Sequence, residues 1–215
     1  MVNQELTYEF SSDGGLLCLD FTNTVDFYGD GGPVVEHDIH ALTSYDALLA
    51  FAEQAGTVNA SQAAALRDRA AQGPAGAAAI LARALSLREA IFRAVLARIQ
   101  GAGPDRPHLD CLNGEYVDAM RHRRLVWGDD GPAAEWVEMG ENLASPLWPI
   151  AESAVELLLG GDVDLVRRCG GEDCDWLFVD RTKNHSRRWC RMSGCGNRAK
   201  AKRHYEKRRR SNRES

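Results

Sequence analysis

The sequence predicts an α+β fold: a predominantly helical N-terminal domain with a few short strands, then a small four-cysteine module ending in a basic helix. Three observations lead there. Residues 77–99 carry apolar side chains at three- and four-residue steps, the period of a helix with one face in a core. Cys169, Cys174, Cys190 and Cys195 form two C-x4-C pairs separated by fifteen residues. Charge is split as well: residues 169–215 hold 14 Lys and Arg against 6 Asp and Glu, and the preceding 168 residues hold 12 against 25. A chain of 215 residues accommodates one ordinary domain and a small appendage, which we place at residues 1–160 and 161–215.

Taken in order, residues 16–27, "LLCLDFTNTVDF", alternate roughly between apolar and polar types and predict a short strand or strand–turn unit. "GDGGP" then breaks the chain. Ser44 is placed to cap "YDALLAFAEQAG", with Gly56 as its stop, and Ser61 to cap "QAAALRDRAAQ". In the long helix, Ile80, Leu81, Ala84, Leu85, Ile91, Phe92, Val95, Leu96 and Ile99 form the core stripe, and Arg88 is its one polar member. "GAGPDRPH" ends it, and a further helix is expected over residues 109–120, weakened by Gly114.

Two short strands are expected on either side of a turn at residues 128–131. Ser145 then has the character of an N-cap, with Pro146 at the first position of "PLWPIAESAVELLL". Gly160 and Gly161 close that helix. In the C-terminal module, "WLFVD" and "SRRWC" predict strands, and Asn197 predicts the N-cap of a helix running from Arg198 to about Arg210. Ala201 and Tyr205, four apart, would pack that helix back on the module.

The four cysteines point to one structural Zn²⁺. Zinc favours a tetrahedron of soft ligands, and two tight turns delivering two thiolates each supply it. Gly170, Gly171 and Gly194 lie inside the pairs, where backbone must wrap closely around a metal. Four thiolates close the coordination shell, which argues against a catalytic zinc needing an open position; an iron–sulfur cluster is the chemical alternative. His185 and His204 lie away from the paired turns and read as solvated or phosphate-facing. Cys18 and Cys111 read as inert thiols. Trp176, Phe178 and Trp189 supply the small core that a metal-stapled module needs.

The basic module on an acidic body predicts a polyanionic partner, for which duplex DNA is our first reading. The loop "RTKNHSRR" offers Arg181, Lys183, Arg187 and Arg188 to phosphates. Arg198, Lys200, Lys202 and Arg203, near the start of the helix, are placed to reach bases. Lys207 extends the contact set, and the distal arginines add sequence-independent affinity. The acidic domain would sense a small-molecule effector or form a homodimer. The competing reading is an RNA-binding or protein-interaction adaptor using the same zinc module.

An enzyme is the third class considered. Asp20, Asn23 and Asp26 form a polar cluster that turn and cap roles explain, and with no phosphate loop or metalloprotease pattern we expect no catalytic activity. No stretch reaches 18 consecutive apolar residues, and the start "MVNQELTYEF" lacks the features of a signal peptide. A cytoplasmic location is expected, with thiols rather than disulfides and no membrane partner.

The run Cys195-Gly196-Asn197-Arg198, preceded by "LFVDRTKNHSRRWC" and followed by "AKAKRHY", resembles the CGNR zinc-finger family. "LCLDFTNTVD" and "LWPIAESAVELL" are similar to the ABATE domain that precedes this finger. The resemblance spans nearly the whole chain and is softer over residues 50–78. It implies a bacterial, stress-associated transcription regulator, with the four finger cysteines as zinc ligands.

Overall fold

The computed structural model describes residues 8–25, 27–29, 32–34 and 41–211. The expected first strand is a helix, α1 (Leu17–Thr22), at the centre of the molecule. Cys18, Leu19, Phe21 and Thr22 are buried and only Leu17 and Asp20 keep partial exposure, so the solvent face is too small for a helical period to be read. Its polar members are satisfied locally: Thr22 Oγ1 donates to the Leu19 carbonyl and Thr24 Oγ1 to the Phe21 carbonyl, each at 2.8 Å. Strands β1 (Phe27–Gly29) and β2 (Gly32–Val34) then pair antiparallel, with Gly29 opposite Gly32. Asp26 lies outside the described residues.

Helix α2 (Tyr45–Gln54) starts where Ser44 predicts, the Ser44 hydroxyl accepting the Ala47 N–H at 3.0 Å. Helix α3 (Ala60–Gln72) is capped by Asn59 instead of Ser61. Asn59 Oδ1 accepts from Gln62 N and Gln62 Oε1 accepts from Asn59 N, both at 2.9 Å. This reciprocal box satisfies two orphan donors where Ser61 would satisfy one. Helix α4 (Pro74–Ile99) begins at Pro74, where a missing N–H costs nothing. Helix α5 (Arg106–Met120) likewise begins before its expected start, capped by Asp105. Gly114 sits within α5 beside open space.

The expected hairpin forms as β3 (Arg123–Gly128) and β4 (Gly131–Trp136), with Gly131 at φ +105° closing the two-residue turn. Ser145 is not an N-cap. Its hydroxyl is buried and donates to the Met139 carbonyl at 2.6 Å, and residues Ser145–Leu147 form a 3₁₀ turn ahead of α6 (Trp148–Leu159). A second 3₁₀ turn, Gly161–Leu165, leads into β5 (Val166–Arg168), which pairs antiparallel with β6 (Leu177–Val179). "SRRWC" forms no strand; it meets the module through the Arg188 carbonyl, which accepts Gly170 N–H at 2.8 Å.

The main core gathers Leu19 and Phe21 of α1, Leu48 and Phe51 of α2, Leu87 and Ile91 of α4, and Trp148 and Ile150 of α6. Arg88 is buried within it because its guanidinium donates to the Thr24 carbonyl at 2.9 Å. Strand β6 belongs to two cores at once. Leu177 and Val179 join the helical core, while Phe178, pointing the other way by strand alternation, joins the four cysteines. A π-type turn, Met192–Gly196, then runs into the last helix, α7 (Asn197–Ser211). No helix among the described residues is long and apolar enough to cross a membrane.

Candidate metal centre and nucleic-acid interface

The four sulfurs of Cys169, Cys174, Cys190 and Cys195 all lie within 4.8 Å of one another, and all four residues are buried. Cys174 Sγ and Cys195 Sγ each stand 3.6 Å from Cys190 Sγ. A zinc tetrahedron with Zn–S bonds of about 2.3 Å requires S···S separations of about 3.8 Å, so the donor set fits one structural Zn²⁺. Neither His185 nor His204 belongs to this cluster.

The thiols hydrogen-bond among themselves. Hydrogen bonds from the Cys174 and Cys190 side chains, with the Cys190 and Gly171 N–H groups, pull the Cys169 thiol well below its ordinary range. Cys174 and Cys190 are pushed far up, chiefly by the same side-chain contacts with Cys169. A divalent ion bound among them would let all four bind as thiolates. Donors stand ready for them. Cys190 N–H points at Cys169 Sγ from 3.3 Å, and the Arg198 guanidinium at Cys195 Sγ from 3.0 Å. Cys18 and Cys111 lie outside the cluster; burial pushes the Cys18 thiol up to about 12 and raises Cys111 as well.

Two glycines are fixed by space. A Cβ on Gly171 would meet Cys174 Cβ at 3.0 Å and Cys195 Sγ at 3.2 Å, and one on Gly170 would meet the Arg188 carbonyl at 3.2 Å and the Trp189 ring at 3.3 Å. Gly194 has no such constraint, its nearest neighbour being 3.9 Å away. Asn197 differs from its expected role: it is the first residue of α7, and its amide donates back to the Ser193 carbonyl at 3.2 Å. The continuous turn from Cys195 into α7 makes a side-chain cap unnecessary. Ala201 and Tyr205 do not pack back on the module; both are exposed, and Phe178, Trp176 and Trp189 already fill the space around the cysteines.

The loop between the cysteine pairs is built on Asp180. This fully buried carboxylate accepts Thr182 Oγ1 at 2.6 Å, Thr182 N–H at 3.0 Å and Arg187 N–H at 2.9 Å, and these bonds, the Thr182 hydroxyl first, hold it below the usual carboxylate range. His185 takes φ +45° there, its ring beside the Asp180 carbonyl. Asp180 escaped the sequence reading, although the D-x-T spacing of "VDRT" is the signature of such a side-chain turn.

Eight of the nine expected nucleic-acid residues fall into three groups. Lys183, Arg188, Lys200 and Arg203 are exposed on the loop or on α7, Arg188 lying over the Trp189 ring at 5.4 Å. Arg181 and Lys202 are exposed but paired, with Asp162 and Glu172 respectively. Arg187, half-buried, and Arg198, exposed, both hydrogen-bond into the fold. Arg187 donates to the Trp189, Cys190 and Asp13 carbonyls and lies over Phe178 at 4.3 Å, so its guanidinium is spent inside the protein. Lys207 lies on α7 with its side chain outside the described residues.

Between the Gly170–Asp173 knuckle and α7 lies a cleft of about 540 Å³, lined by Trp189, Arg188, Arg198, Lys202, Arg203 and the acidic Glu172, among others. The module is also bolted to the helical domain. Trp176 Nε1 donates to the Val25 carbonyl at 2.6 Å, Val179 N–H to the Gly14 carbonyl at 2.9 Å, and Arg191 pairs with Asp13 at 2.7 Å. Asp20 and Asn23 serve this joint: Asp20 Oδ1 accepts Gly14 N–H at 2.8 Å, and Asn23 bonds Leu177.

No curated relative matches the chain at a significant level. Two family models do. Residues 15–161 match the ABATE model, whose description is "Putative stress-induced transcription regulator", and residues 166–208 match the CGNR zinc finger, a span holding all four cysteines and most of α7. The chain therefore belongs to the ABATE family and carries a CGNR zinc finger at its C-terminal end.

Proposed function

We propose that the protein is a zinc-dependent transcription regulator that binds duplex DNA through the finger and α7. One observation carries this reading. The last zinc ligand, Cys195, runs without a break into a helix whose exposed face presents Lys200, Lys202 and Arg203. A helix with so little apolar surface and so much like charge gains from a polyphosphate partner, which replaces self-repulsion by counterion release. The Asp180-braced loop adds Arg181, Lys183 and Arg188 to the same module. Its rigidity suits phosphate contacts that set register, with bases read from the helix.

On this reading the helical domain senses an effector or forms a dimer, and the joint at Asp13, Gly14 and Asn23 couples it to the finger. We assign it no reaction: Asp20 and Asn23 are occupied in that joint.

Salt titration of duplex binding by fluorescence anisotropy tests the proposal. The logarithm of affinity should fall linearly with the logarithm of salt, with a slope of about 0.9 per phosphate contacted. The Lys200→Ala/Arg203→Ala double variant should lower both affinity and slope. A flat salt response, or stronger competition by folded RNA than by duplex, would sink the DNA reading.

A further inference from the structure

Acidic side chains on a surface that meets a polyanion oppose binding, so those that remain there call for a cause. In the finger and α7, Asp175 is paired with Arg168 next to its own knuckle and Asp180 is consumed by its loop, while Asp173 and Glu206 line the cleft beside Glu172. Glu172 differs in joining the knuckle to α7. It stands exposed on the knuckle and binds the Lys202 ammonium with both carboxylate oxygens, 30 positions along the chain.

Stability does not account for the pair. With side chains 69% and 53% exposed, it belongs to the class of surface ion pairs that contribute little. Its position is well determined all the same. The knuckle is pinned where Gly171 abuts Cys174 and Cys195, and α7 grows directly from Cys195. Both partners are thus referenced to one metal, and both line the open cleft between knuckle and helix.

A cation and a carboxylate side by side match one feature of duplex DNA. In the major groove a G·C pair presents the guanine O6 and N7 acceptors next to the cytosine N4 donor. Lysine donates to the former and glutamate accepts from the latter. An A·T pair reverses the two central positions, presenting the adenine N6–H donor where guanine has O6 and the thymine O4 acceptor where cytosine has N4–H, so an ammonium set at O6 and a carboxylate set at N4 would both meet like groups there. We propose that Lys202 and Glu172 act as a unit that reads one G·C pair, Lys202 contacting guanine and Glu172 cytosine, which makes Glu172 a specificity-determining residue. This rests on the duplex-binding reading above.

The test is selection from random duplexes at fixed salt by the full-length zinc-loaded protein, in parallel with Glu172→Gln and Glu172→Asp. Zinc content and unfolding midpoint confirm that the variants fold. The wild type should recover a motif with an invariant G·C pair. Glu172→Gln, whose amide loses the charge and adds a donor, should lose preference for cytosine there by about ten-fold or more while binding unrelated duplexes at least as well, and Glu172→Asp, which keeps the carboxylate, should retain part of it. The same motif and the same discrimination in all three proteins would overturn the proposal and leave duplex binding standing. Uniformly tighter binding by Glu172→Gln with an unchanged motif would overturn it too, making Glu172 a mask over Lys202. A wild type that binds no duplex would overturn both readings.

Discussion

Asn23, one residue past α1, holds both backbone groups of Leu177 in β6: its amide donates to the Leu177 carbonyl at 2.9 Å and its carbonyl oxygen accepts the Leu177 N–H at 3.0 Å. The side chain acts as a single peptide unit of a neighbouring strand, pairing one edge of β6 while β5 pairs the other. Since β6 also carries Phe178 into the cysteine cluster, this contact ties the zinc module to the helical core.

Asn23→Ala should therefore cost about 2–4 kcal/mol, because it leaves a buried donor and a buried acceptor unpaired. Asn23→Asp should cost at least as much, since it sets a carboxylate oxygen against the Leu177 carbonyl. Urea unfolding followed by tryptophan fluorescence measures both, and a midpoint equal to wild type would refute the role.

Asp20 gives the protein an acid-side stability gain. Burial raises its carboxyl from 3.8 to about 6, against the opposing pull of the Gly14 and Gly15 N–H groups. The folded state then binds a proton that the unfolded state has already lost between about pH 4 and pH 6. Asp20's contribution to stability is full below that window and is lost as pH rises through it. Asp20→Asn keeps an acceptor for Gly14 N–H without the buried charge. It should be more stable than wild type at pH 7, on the order of 1 kcal/mol once the group's partial exposure is allowed for. The stability difference between the two proteins should shrink as pH falls to 4. A difference independent of pH would show that Asp20 is not the titrating group.

Gly171→Ala should disrupt the metal centre, because both atoms its Cβ would meet belong to zinc ligands and cannot move away. Gly196→Ala is the instructive contrast: its main obstacle is the end of the exposed Met192 side chain, which can swing out, with the Trp189 ring at 3.2 Å as a lesser one. Zinc bound per chain by atomic absorption should fall from one for Gly171→Ala and stay near one for Gly196→Ala. A chelator should reproduce the Gly171→Ala result in the wild type and abolish duplex binding.

Arg198 donates to Cys195 Sγ and so supports a metal ligand rather than standing free on α7. Arg198→Gln should weaken zinc affinity about 10- to 100-fold, as loss of an outer-shell partner does. Competition with a chromophoric chelator measures it. Unchanged zinc affinity combined with weaker DNA binding would return Arg198 to the set of direct DNA contacts.

The cysteine ligands were legible because metal geometry imposes a spacing on the chain that four residues suffice to show. The α4 stripe was legible for a similar reason: one face packs and the other is wet. Helix α1 was not, since four of its six residues are buried and the two that keep partial exposure, Leu17 and Asp20, give too short a wet face for a periodic signal. Ser145 and Ser61 were misplaced as caps because a serine before a helix has other partners, and only the neighbouring Met139 carbonyl and the Asn59–Gln62 pair decide between them.

By itself the sequence determined the zinc ligands, the helical body, the basic helix and the family, all of which rest on local spacing, periodicity or composition. Tertiary structure alone decided which cations remain outward. Arg187 turned in to backbone carbonyls and Arg198 to a sulfur, while Lys202 met Glu172. It alone made β6 the shared wall of two cores, through an asparagine 154 positions away. Such contacts join residues distant in sequence through side chains whose types fit many roles, and the partner that selects one role is set when the chain packs.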